Sequence, residues 1–320
     1  MKKICIVGYG SIGKTHAAAL EKVDDVEFYA VCDIDSEKIE KCQQNYSVIS
    51  YLDFDEMLMN EEIDGVHICT PHHLHFEMIE KAIKAGKKVV CEKPVTRTKE
   101  EFEKLLALKD SDKVCVVLQN RFNNSVIKMK ELIESGNYGK IKMARGILTW
   151  YRTMDYYNHD EWRGKWDTEG GGVLINQAVH TLDYFYYLVG EVTSVKAKMA
   201  NFSLEEIEVE DTFMARLLIE DHIPAVFFAT NAYGRNAAPF FEVELENGLL
   251  RYIDKKLYLD GEVVAEDSKS TGGKDYWGNG HERAFKNFYE QGTYFSPQDV
   301  KNTMETMFAM YESAKNYEKN

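Results

Sequence analysis

Short apolar runs alternate with segments of helical periodicity over the first 117 residues of the chain. The runs are apolar at successive positions, which is the pattern of strands buried on both faces of a parallel sheet. The predicted strands span residues 3–7, 27–32, 65–69, 87–91 and 113–117, with a weaker strand near Val48. The predicted helices span residues 11–22, 36–43, 53–60, 73–85 and 99–109. Alternation at this spacing predicts right-handed crossovers and a doubly wound α/β domain.

The pattern changes after Gln119. The elements predicted next are a helix at 123–135, a strand at 140–151, a loop rich in aromatic and charged residues, and a helix at 173–189. From residue 191 to 264, runs separated by turn pairs such as Asn247-Gly248 are typical of antiparallel strands, and a helix at 297–317 closes the chain. The sequence therefore predicts a doubly wound parallel-sheet domain over residues 1–120. It predicts an α+β domain with a mainly antiparallel open sheet over residues 121–320.

Composition narrows the class of protein. Of the 320 residues, 44% are hydrophobic and 29% are charged, which is typical of a globular chain of about two domains. Lys and Arg number 39 against 53 Asp and Glu, for a net charge of −14. Because so acidic a chain repels phosphate backbones and anionic membrane surfaces, we expect neither nucleic acid nor a membrane as a partner.

Targeting signals are not expected either. The most apolar long stretch, residues 172–190, contains Asn176, Gln177, His180 and Asp183, which a bilayer core would penalise. The apolar run after Lys3 stops at Gly8, too short for the core of a signal peptide. All six cysteines lie in the first 115 residues without a C-x-x-C pair, and we expect buried, reduced thiols. We therefore expect a cytoplasmic protein.

A glycine motif follows the first predicted strand. Gly8-Tyr9-Gly10-Ser11-Ile12-Gly13 opens the first predicted helix, where its glycines permit a tight turn, a close approach of a pyrophosphate and close packing of helix on strand. Asp33 stands 20 residues after Gly13, at the end of the second predicted strand. A carboxylate there binds ribose hydroxyls and repels a 2′-phosphate, and Ile34, Asp35 and Ser36 supply no Arg. The first domain is therefore predicted to be a dinucleotide-binding (Rossmann) domain that prefers NAD to NADP. The alternative is a glycine turn without a ligand.

Two further segments fall at the carboxyl ends of predicted parallel strands, where a dinucleotide would lie. They are Thr70-Pro71-His72-His73-Leu74-His75 and Glu92-Lys93-Pro94. No cysteine or acid at ligand spacing completes a metal site around the histidines, so no metal is expected. We expect one or two of these histidines to line the cofactor groove and the others to face solvent.

These segments together resemble the glucose–fructose oxidoreductase and inositol dehydrogenase (Gfo/Idh/MocA) family, and the resemblance covers nearly the whole chain. It continues through Gln119-Asn120-Arg121-Phe122, Trp162-Arg163, Gly170-Gly171-Gly172 with His180 and Asp183, and Gly280-His281. The resemblance implies that Lys93 and His180 are the catalytic, proton-handling pair. Beyond the glycine motif and Asp33, it implies cofactor contacts at Thr70, Pro71, His72, His75, Glu92, Lys93, Gln119, Arg121, Trp162 and Arg163.

The helix predicted over residues 173–189 would carry the substrate side of the site. Asn176, His180 and Asp183 are spaced i, i+4 and i+7, so one helix face would present all three to the substrate. An imidazole titrates near neutral pH, which suits His180 as a general base, and the alternative is a core histidine with satisfied hydrogen bonds. Many members of the family have Asp where this chain has Asn176, and an amide cannot accept a proton. A proton relay through that position is therefore in doubt.

The loop over residues 150–166 is crowded with aromatic and cationic side chains, among them Tyr151, Arg152 and Trp166. Aromatic faces and planar donors suit sugar rings and their hydroxyls, and the alternative is an ordinary packing loop. We expect substrate contacts from Tyr151, Lys93, Asn176 and His180. The resulting interpretation is an NAD-dependent dehydrogenase of a sugar, cyclitol or related polyol. Two alternatives are a non-catalytic NAD-binding regulator and a glycoside hydrolase that uses NAD transiently.

The second domain also predicts self-association. The strand-like runs DTFMARLLI and AVFFATN carry apolar side chains at successive positions, and therefore on both faces of a sheet. Large exposed apolar patches are rare on monomers, and pairing about a two-fold axis covers them. We therefore expect a homodimer or a dimer of dimers, joined through the sheet around residues 211–231.

Overall fold

The structure is a computed structural model that describes residues 1–274 and 277–317. The chain forms two compact units, and the first contains Met1–Phe122 together with Lys269–Val300. The second contains Asn123–Ser268 and the chain from Lys301 onward. The sequence-based division put residues 269–300 in the second domain. They fold with the first because Phe285, Phe288 and Tyr289 are buried in a core cluster shared with Ile4 and Ile6.

The first unit is built on a six-stranded sheet in the order β3-β2-β1-β4-β5-β6, in which every pair of neighbours is parallel. Its strands are β1 Lys2–Val7, β2 Val26–Cys32, β3 Ile49–Tyr51, β4 Gly65–Ile68, β5 Lys88–Cys91 and β6 Val114–Val116. Its helices are α1 Ser11–Leu20, α2 Ser36–Gln43, α3 Phe54–Leu58, α4 His75–Lys84, α5 Lys99–Ala107 and the late α10 Gly280–Lys286. This order reverses between β1 and β4, and ligands of such sheets bind beyond the strand ends at that point. The doubly wound parallel sheet is confirmed.

The second unit is built on an eight-stranded sheet in the order β14-β13-β12-β11-β7-β10-β9-β8. Its strands are β7 Ile141–Thr149, β8 Val192–Ala200, β9 Thr212–Ile219, β10 Ile223–Thr230, β11 Phe240–Leu245, β12 Gly248–Ile253, β13 Lys256–Leu259 and β14 Glu262–Glu266. Among the strands that the structure describes in this sheet, only β7 and β10 pair in parallel, so the sheet is mainly antiparallel, as predicted. Its helices are α6 Asn124–Glu134, α7 Met154–Asn158, α8 Val173–Asn176, α9 Val179–Tyr184 and α11 Lys301–Tyr317.

The helix expected over residues 173–189 is interrupted. Helix α8 ends at Asn176, α9 begins at Val179, and a π-helical turn over Phe185–Val189 follows. The apolar positions keep helical spacing over the whole of residues 173–189. This spacing therefore gives no sign of the two-residue break between α8 and α9.

The two faces of the eight-stranded sheet differ in burial. On β9 and β10, Phe213 and Phe227 are fully buried, whereas the intervening Met214 and Val226 are 41% and 48% exposed. The six cysteines are buried free thiols, as expected, and burial raises the pKa of Cys32 to about 12. In the described part of the chain, no helix combines the length and the apolar character that crossing a bilayer requires.

Candidate active site

The glycine motif forms a cradle at the amino end of α1. Gly8 has φ +87°, and a Cβ there would lie 2.8 Å from the carbonyl oxygen of Cys69. A Cβ at Gly13 would lie 2.2 Å from the carbonyl oxygen of Gly8, so any side chain there would collide with the turn. A Cβ at Gly10 would meet no atom within 4 Å, so the space in front of this residue is open. Gly10 caps α1 without a side-chain hydrogen bond, and the first turn has no acid. This cradle fits an anionic pyrophosphate, because free N–H groups and the helix dipole both favour negative charge.

Asp33 is held beside this cradle. Its Oδ2 accepts a hydrogen bond of 2.7 Å from the backbone N–H of Tyr9, the residue between the first two glycines. Its Oδ1 accepts a bond of 3.0 Å from the N–H of Asp35. The carboxylate is thus fixed at the end of β2, next to the turn, where an adenosine ribose would lie in this fold.

The loop after β4 is tied to the loop after β5 by His75. The His75 ring is fully buried, with Nδ1 2.7 Å from the carbonyl oxygen of Pro94 and Nε2 2.9 Å from that of Thr70. Burial lowers the pKa of His75 although both carbonyl groups favour its protonated form. His72 is also buried and His73 is half-buried, so neither has the solvent exposure expected for part of this histidine cluster.

Glu92 ends a chain of buried hydrogen bonds in the first unit. The Tyr289 hydroxyl lies 2.9 Å from His67 Nε2, and His67 Nδ1 lies 2.9 Å from His16 Nδ1. His16 Nε2 then lies 3.0 Å from Glu92 Oε1, and His281 Nε2 approaches the same oxygen at 3.4 Å. The backbone N–H of Lys93 donates to Glu92 Oε2 at 3.2 Å. The carboxylate therefore fixes the backbone at Lys93, whose side chain is half-buried.

One set of tautomers satisfies the whole chain of bonds. The Tyr289 hydroxyl donates to His67, His67 Nδ1–H donates to His16, and His16 Nε2–H donates to Glu92, with both rings neutral. Burial lowers the pKa of His16 and of His67, which keeps the rings neutral. Burial by itself would raise the pKa of Glu92, but the neighbouring His16 and His281 hold it well below its usual value. The ligand atoms of His16, Glu92 and His281 lie within 4.8 Å of one another, a spacing that a metal could use. His16 Nε2 forms a hydrogen bond to Glu92, whereas His281 Nε2 only approaches the carboxylate and has no hydrogen-bond partner in the described part of the chain.

Gln119 and Arg121 lie on a 3₁₀ turn, Gln119–Phe122, and both side chains are buried. The Arg121 guanidinium lies 4.5 Å from the centre of the Phe295 ring, which comes from the late segment of the first unit.

In the second unit, Trp162 and Arg163 belong to an aromatic and cationic cluster. The Arg163 guanidinium lies 4.4 Å from the Trp162 ring and 4.5 Å from the Tyr156 ring. Its Nε bonds Asp160 at 2.8 Å and its Nη1 bonds the Tyr156 hydroxyl at 2.5 Å. The Tyr156 hydroxyl also accepts a bond of 3.0 Å from Gln177, in the break between α8 and α9. Tyr151 is 50% exposed and pairs with Ala232 through a single bridge.

The side-chain amide of Asn176 is hydrogen-bonded to the carboxylate of Glu169, a residue that the sequence analysis missed. Its Nδ2 donates to Glu169 Oε1, and Glu169 Oε2 accepts a bond of 2.6 Å from the N–H of Gly164. Glu169 is fully buried directly before the three glycines, and an acid at that position is the only signal the sequence offers. Asp183 lies on the next helix, α9. Asp183 Oδ1 is buried and accepts a bond of 2.7 Å from Thr303 of α11.

Comparison with known proteins agrees with the two folds described above. Residues 2–120 match the model described as "Oxidoreductase family, NAD-binding Rossmann fold", and residues 126–251 match the GFO/IDH/MocA C-terminal domain. The chain belongs to the Gfo/Idh/MocA family.

Named relatives and a solved structure support the assignment to this family. The chain is 30% identical over 229 residues to the uncharacterized oxidoreductase YrbE of Bacillus subtilis, covering 69% of this chain and 64% of YrbE. It is 31% identical over 221 residues to levoglucosan dehydrogenase of Pseudarthrobacter phenanthrenivorans, covering 61% of this chain and 57% of that protein. These matches span less than two thirds of either relative. The WlbA dehydrogenase of Bordetella pertussis, solved with NADH and UDP-GlcNAcA, superposes with a TM-score of 0.88 at 26% identity, covering 99% of this chain and 96% of that one.

As a member of the Gfo/Idh/MocA family, the chain has an NAD-binding fold in its first unit. That unit brings the glycine cradle, Asp33 and the loops of Thr70 and Glu92 to the carboxyl edge of one parallel sheet. Asn176, His180, Trp162, Arg163 and Tyr151 lie on the second unit. Sequence reasoning missed His16 and His67 as partners of Glu92, because they come from different elements and no local spacing relates them.

Proposed function

We propose that this protein is an NAD-dependent dehydrogenase that oxidises a secondary alcohol carbon of a sugar, cyclitol or related polyol. The observation that carries the proposal is the cradle in front of Gly10, with an uncapped helix end on one side and Asp33 on the other. When bound, NAD accepts a hydride from the alcohol carbon. The substrate class is supported by relatives named for levoglucosan and for myo-inositol.

Lys93 and His180 are the residues proposed to handle the proton. Oxidation of an alcohol sends a hydride to the cofactor and releases the hydroxyl proton, so the residue beside that hydroxyl must accept a proton. Support for Lys93 comes from its backbone, which is fixed by the buried Glu92 carboxylate. Support for His180 comes from its half-buried position on α9, close in sequence to the Asn176 amide that Glu169 orients. Asn176 would bind a substrate hydroxyl without exchanging its proton.

The remaining predicted contacts form part of the same proposal. The cofactor contacts are Gly8, Gly10, Ser11, Ile12, Gly13, Asp33, Thr70, Pro71, His72, His75, Glu92, Lys93, Gln119, Arg121, Trp162 and Arg163, and Tyr151 would contact the substrate. His75 would act mainly by shaping the loop, because both of its ring nitrogens face protein carbonyl groups.

A substrate panel tests the proposal. NAD reduction is followed at 340 nm with levoglucosan, myo-inositol, free sugars, sugar acids and a UDP-linked sugar acid, since a structural relative was solved with UDP-GlcNAcA. We expect stoichiometric reduction with at least one of these compounds. A protein that binds NAD but reduces it with none would be a regulator. Cleavage of a glycoside without net NADH would instead indicate transient use of the cofactor.

Assembly and location complete the proposal. A homodimer or dimer of dimers through the sheet around residues 211–231 is supported by Met214 and Val226, which are large, apolar and 41% and 48% exposed in the single chain. A cytoplasmic location is supported by six free buried thiols, since disulfides are rare in reducing compartments.

A further inference from the structure

The buried carboxylate of Glu210 contacts the beginning of α8, the short helix that precedes α9 and His180. Its Oε2 accepts a hydrogen bond of 2.9 Å from the N–H of Gly172, and its Oε1 accepts one of 3.1 Å from the N–H of Leu174. The Tyr311 hydroxyl of α11 donates to the same Oε1 at 2.9 Å. The backbone oxygen of Glu210 accepts a further bond of 3.1 Å from Val173. A single residue therefore holds three successive N–H groups at the start of α8.

The glycines are what allow this contact. A Cβ at Gly172 would lie 1.8 Å from the carbonyl oxygen of Glu210, and a Cβ at Gly171 would lie 2.0 Å from the Tyr311 hydroxyl oxygen. Gly171 also has φ +156°, which side chains rarely adopt. The glycine run thus allows the start of α8 to pack directly against Glu210 and Tyr311.

Helix α8 has little support of its own. It has four residues, ends at Asn176, and is separated from α9 by the break at Gln177 and Ala178. So short a helix makes few internal hydrogen bonds, and its N–H groups need partners from elsewhere. The positions of Asn176, and of His180 four residues later, therefore depend on the acceptors that bind the N–H groups of residues 172–174.

We propose that Glu210, braced by Tyr311, is a positioning residue that sets the placement of Asn176 and His180 for turnover. The inference rests on the proposed function, since it acts through residues assigned there. Neither Glu210 nor Tyr311 was singled out by the sequence analysis.

The charge at this position is costly to the fold. Burial raises the pKa of Glu210 to about 7, although Leu174, Gly172 and Tyr311 all donate to it. A neutral amide of the same shape avoids that cost, so Glu210→Gln is expected to remain folded. It would, however, turn an NH₂ group toward a backbone N–H that needs an acceptor. In Glu210→Gln, the free energy of unfolding and the turnover rate are therefore expected to change independently.

The experiment compares Glu210→Gln and Tyr311→Phe with the exposed neighbour Glu206→Gln as a matched control. Steady-state kinetics give kcat and KM, NADH fluorescence gives cofactor affinity, and hydrogen–deuterium exchange follows the peptide over residues 172–184. For Glu210→Gln we expect kcat to fall by about 10- to 100-fold, as for a small misplacement of reacting groups. We expect faster exchange over residues 172–176 and unchanged NADH affinity. Tyr311→Phe should show a smaller change of the same kind, and Glu206→Gln none.

Two results would overturn the inference. One is unchanged exchange over residues 172–176 in both variants, which would mean that Glu210 does not hold the helix. The other is faster exchange with wild-type kcat, which would mean that the anchor is structural only. If wild-type protein turns over no sugar or polyol, the proposed function fails by itself, and the exchange comparison still decides whether Glu210 holds the helix.

Discussion

The Tyr289 hydroxyl lies 2.9 Å from His67 Nε2, although the two residues are 222 positions apart in the chain. The His67 ring also stacks on the Tyr289 ring, with centroids 5.9 Å apart and planes 4° apart. This contact ties the late segment, Lys269–Val300, into the dinucleotide-binding unit. It also begins the chain of bonds that ends on Glu92, next to the proposed catalytic Lys93.

The buried histidines make the first unit sensitive to acid. His16 and His67 have pKa values lowered below 6.5 in the folded protein, so below pH 6.5 the unfolded chain takes up protons that the folded chain does not. Stability is therefore fully present above pH 6.5 and is lost as the pH falls, by up to about 1.4 kcal/mol per pH unit for each ring. Thermal unfolding between pH 7.5 and 5 should show this decline. In His67→Gln the loss of stability with falling pH should be shallower. An identical slope in both proteins would contradict the lowered pKa of His67.

Lys93→Met should abolish turnover while NAD still binds. Methionine keeps the length and apolar stem of lysine but cannot carry a proton, and general acid–base groups contribute about 10²- to 10⁴-fold to rates. The kcat of the variant should fall by at least that factor, while NADH fluorescence titration should show that the cofactor still binds, more weakly only by the loss of the one Lys93 contact. The exposed Lys84→Met is the control. Near-wild-type kcat in Lys93→Met would remove Lys93 from the mechanism.

Asp33→Ala should weaken NAD binding and narrow its advantage over NADP. The substitution removes a charged acceptor for the ribose, worth about 1.5–3 kcal/mol, and also removes the charge that repels a 2′-phosphate. Isothermal titration with both cofactors should therefore show a weaker NAD complex and a smaller ratio of the two affinities. The exposed Asp24→Ala should change neither. A wild-type protein that prefers NADP would contradict the role given to Asp33.

Val226→Glu should dissociate the proposed assembly. Val226 is 48% exposed on β10, and a longer, charged side chain there would break the apolar fit between the two sheet faces. Arg145 of β7 and Arg216 of β9 pair with Val226 in the sheet, so the expected effect comes from lost apolar contact and not from an unpaired charge. Light scattering should change from the mass of a dimer or tetramer to that of a monomer. Val263→Glu, at a residue 51% exposed on the edge strand β14, should leave the mass unchanged. A wild-type monomer at micromolar concentration would rule out the interface.

The local elements of this protein followed from short-range pattern. Runs of β-formers and helical spacing predicted β1, β2, β4, β5 and β6 to within two residues at each end, and helix α2 over its full span. The glycine motif and Asp33 predicted the cofactor cradle, because its geometry is confined to one strand, one turn and one helix. Such features depend on backbone conformation and near neighbours, which the sequence specifies directly.

Other features were decided only by tertiary packing. The sequence placed residues 269–300 with the second domain, yet their buried faces complete the core of the first. It predicted one continuous helix over residues 173–189, but the helix breaks after Asn176, and Asp183 accepts a hydrogen bond from Thr303 of α11. Buried carboxylates such as Glu169 and Glu210 read in sequence as ordinary polar positions, because their burial depends on donors that other segments provide. The sequence by itself thus determined the elements and the nucleotide cradle, whereas the positions of the proposed catalytic residues depend on hydrogen bonds between segments far apart in the chain.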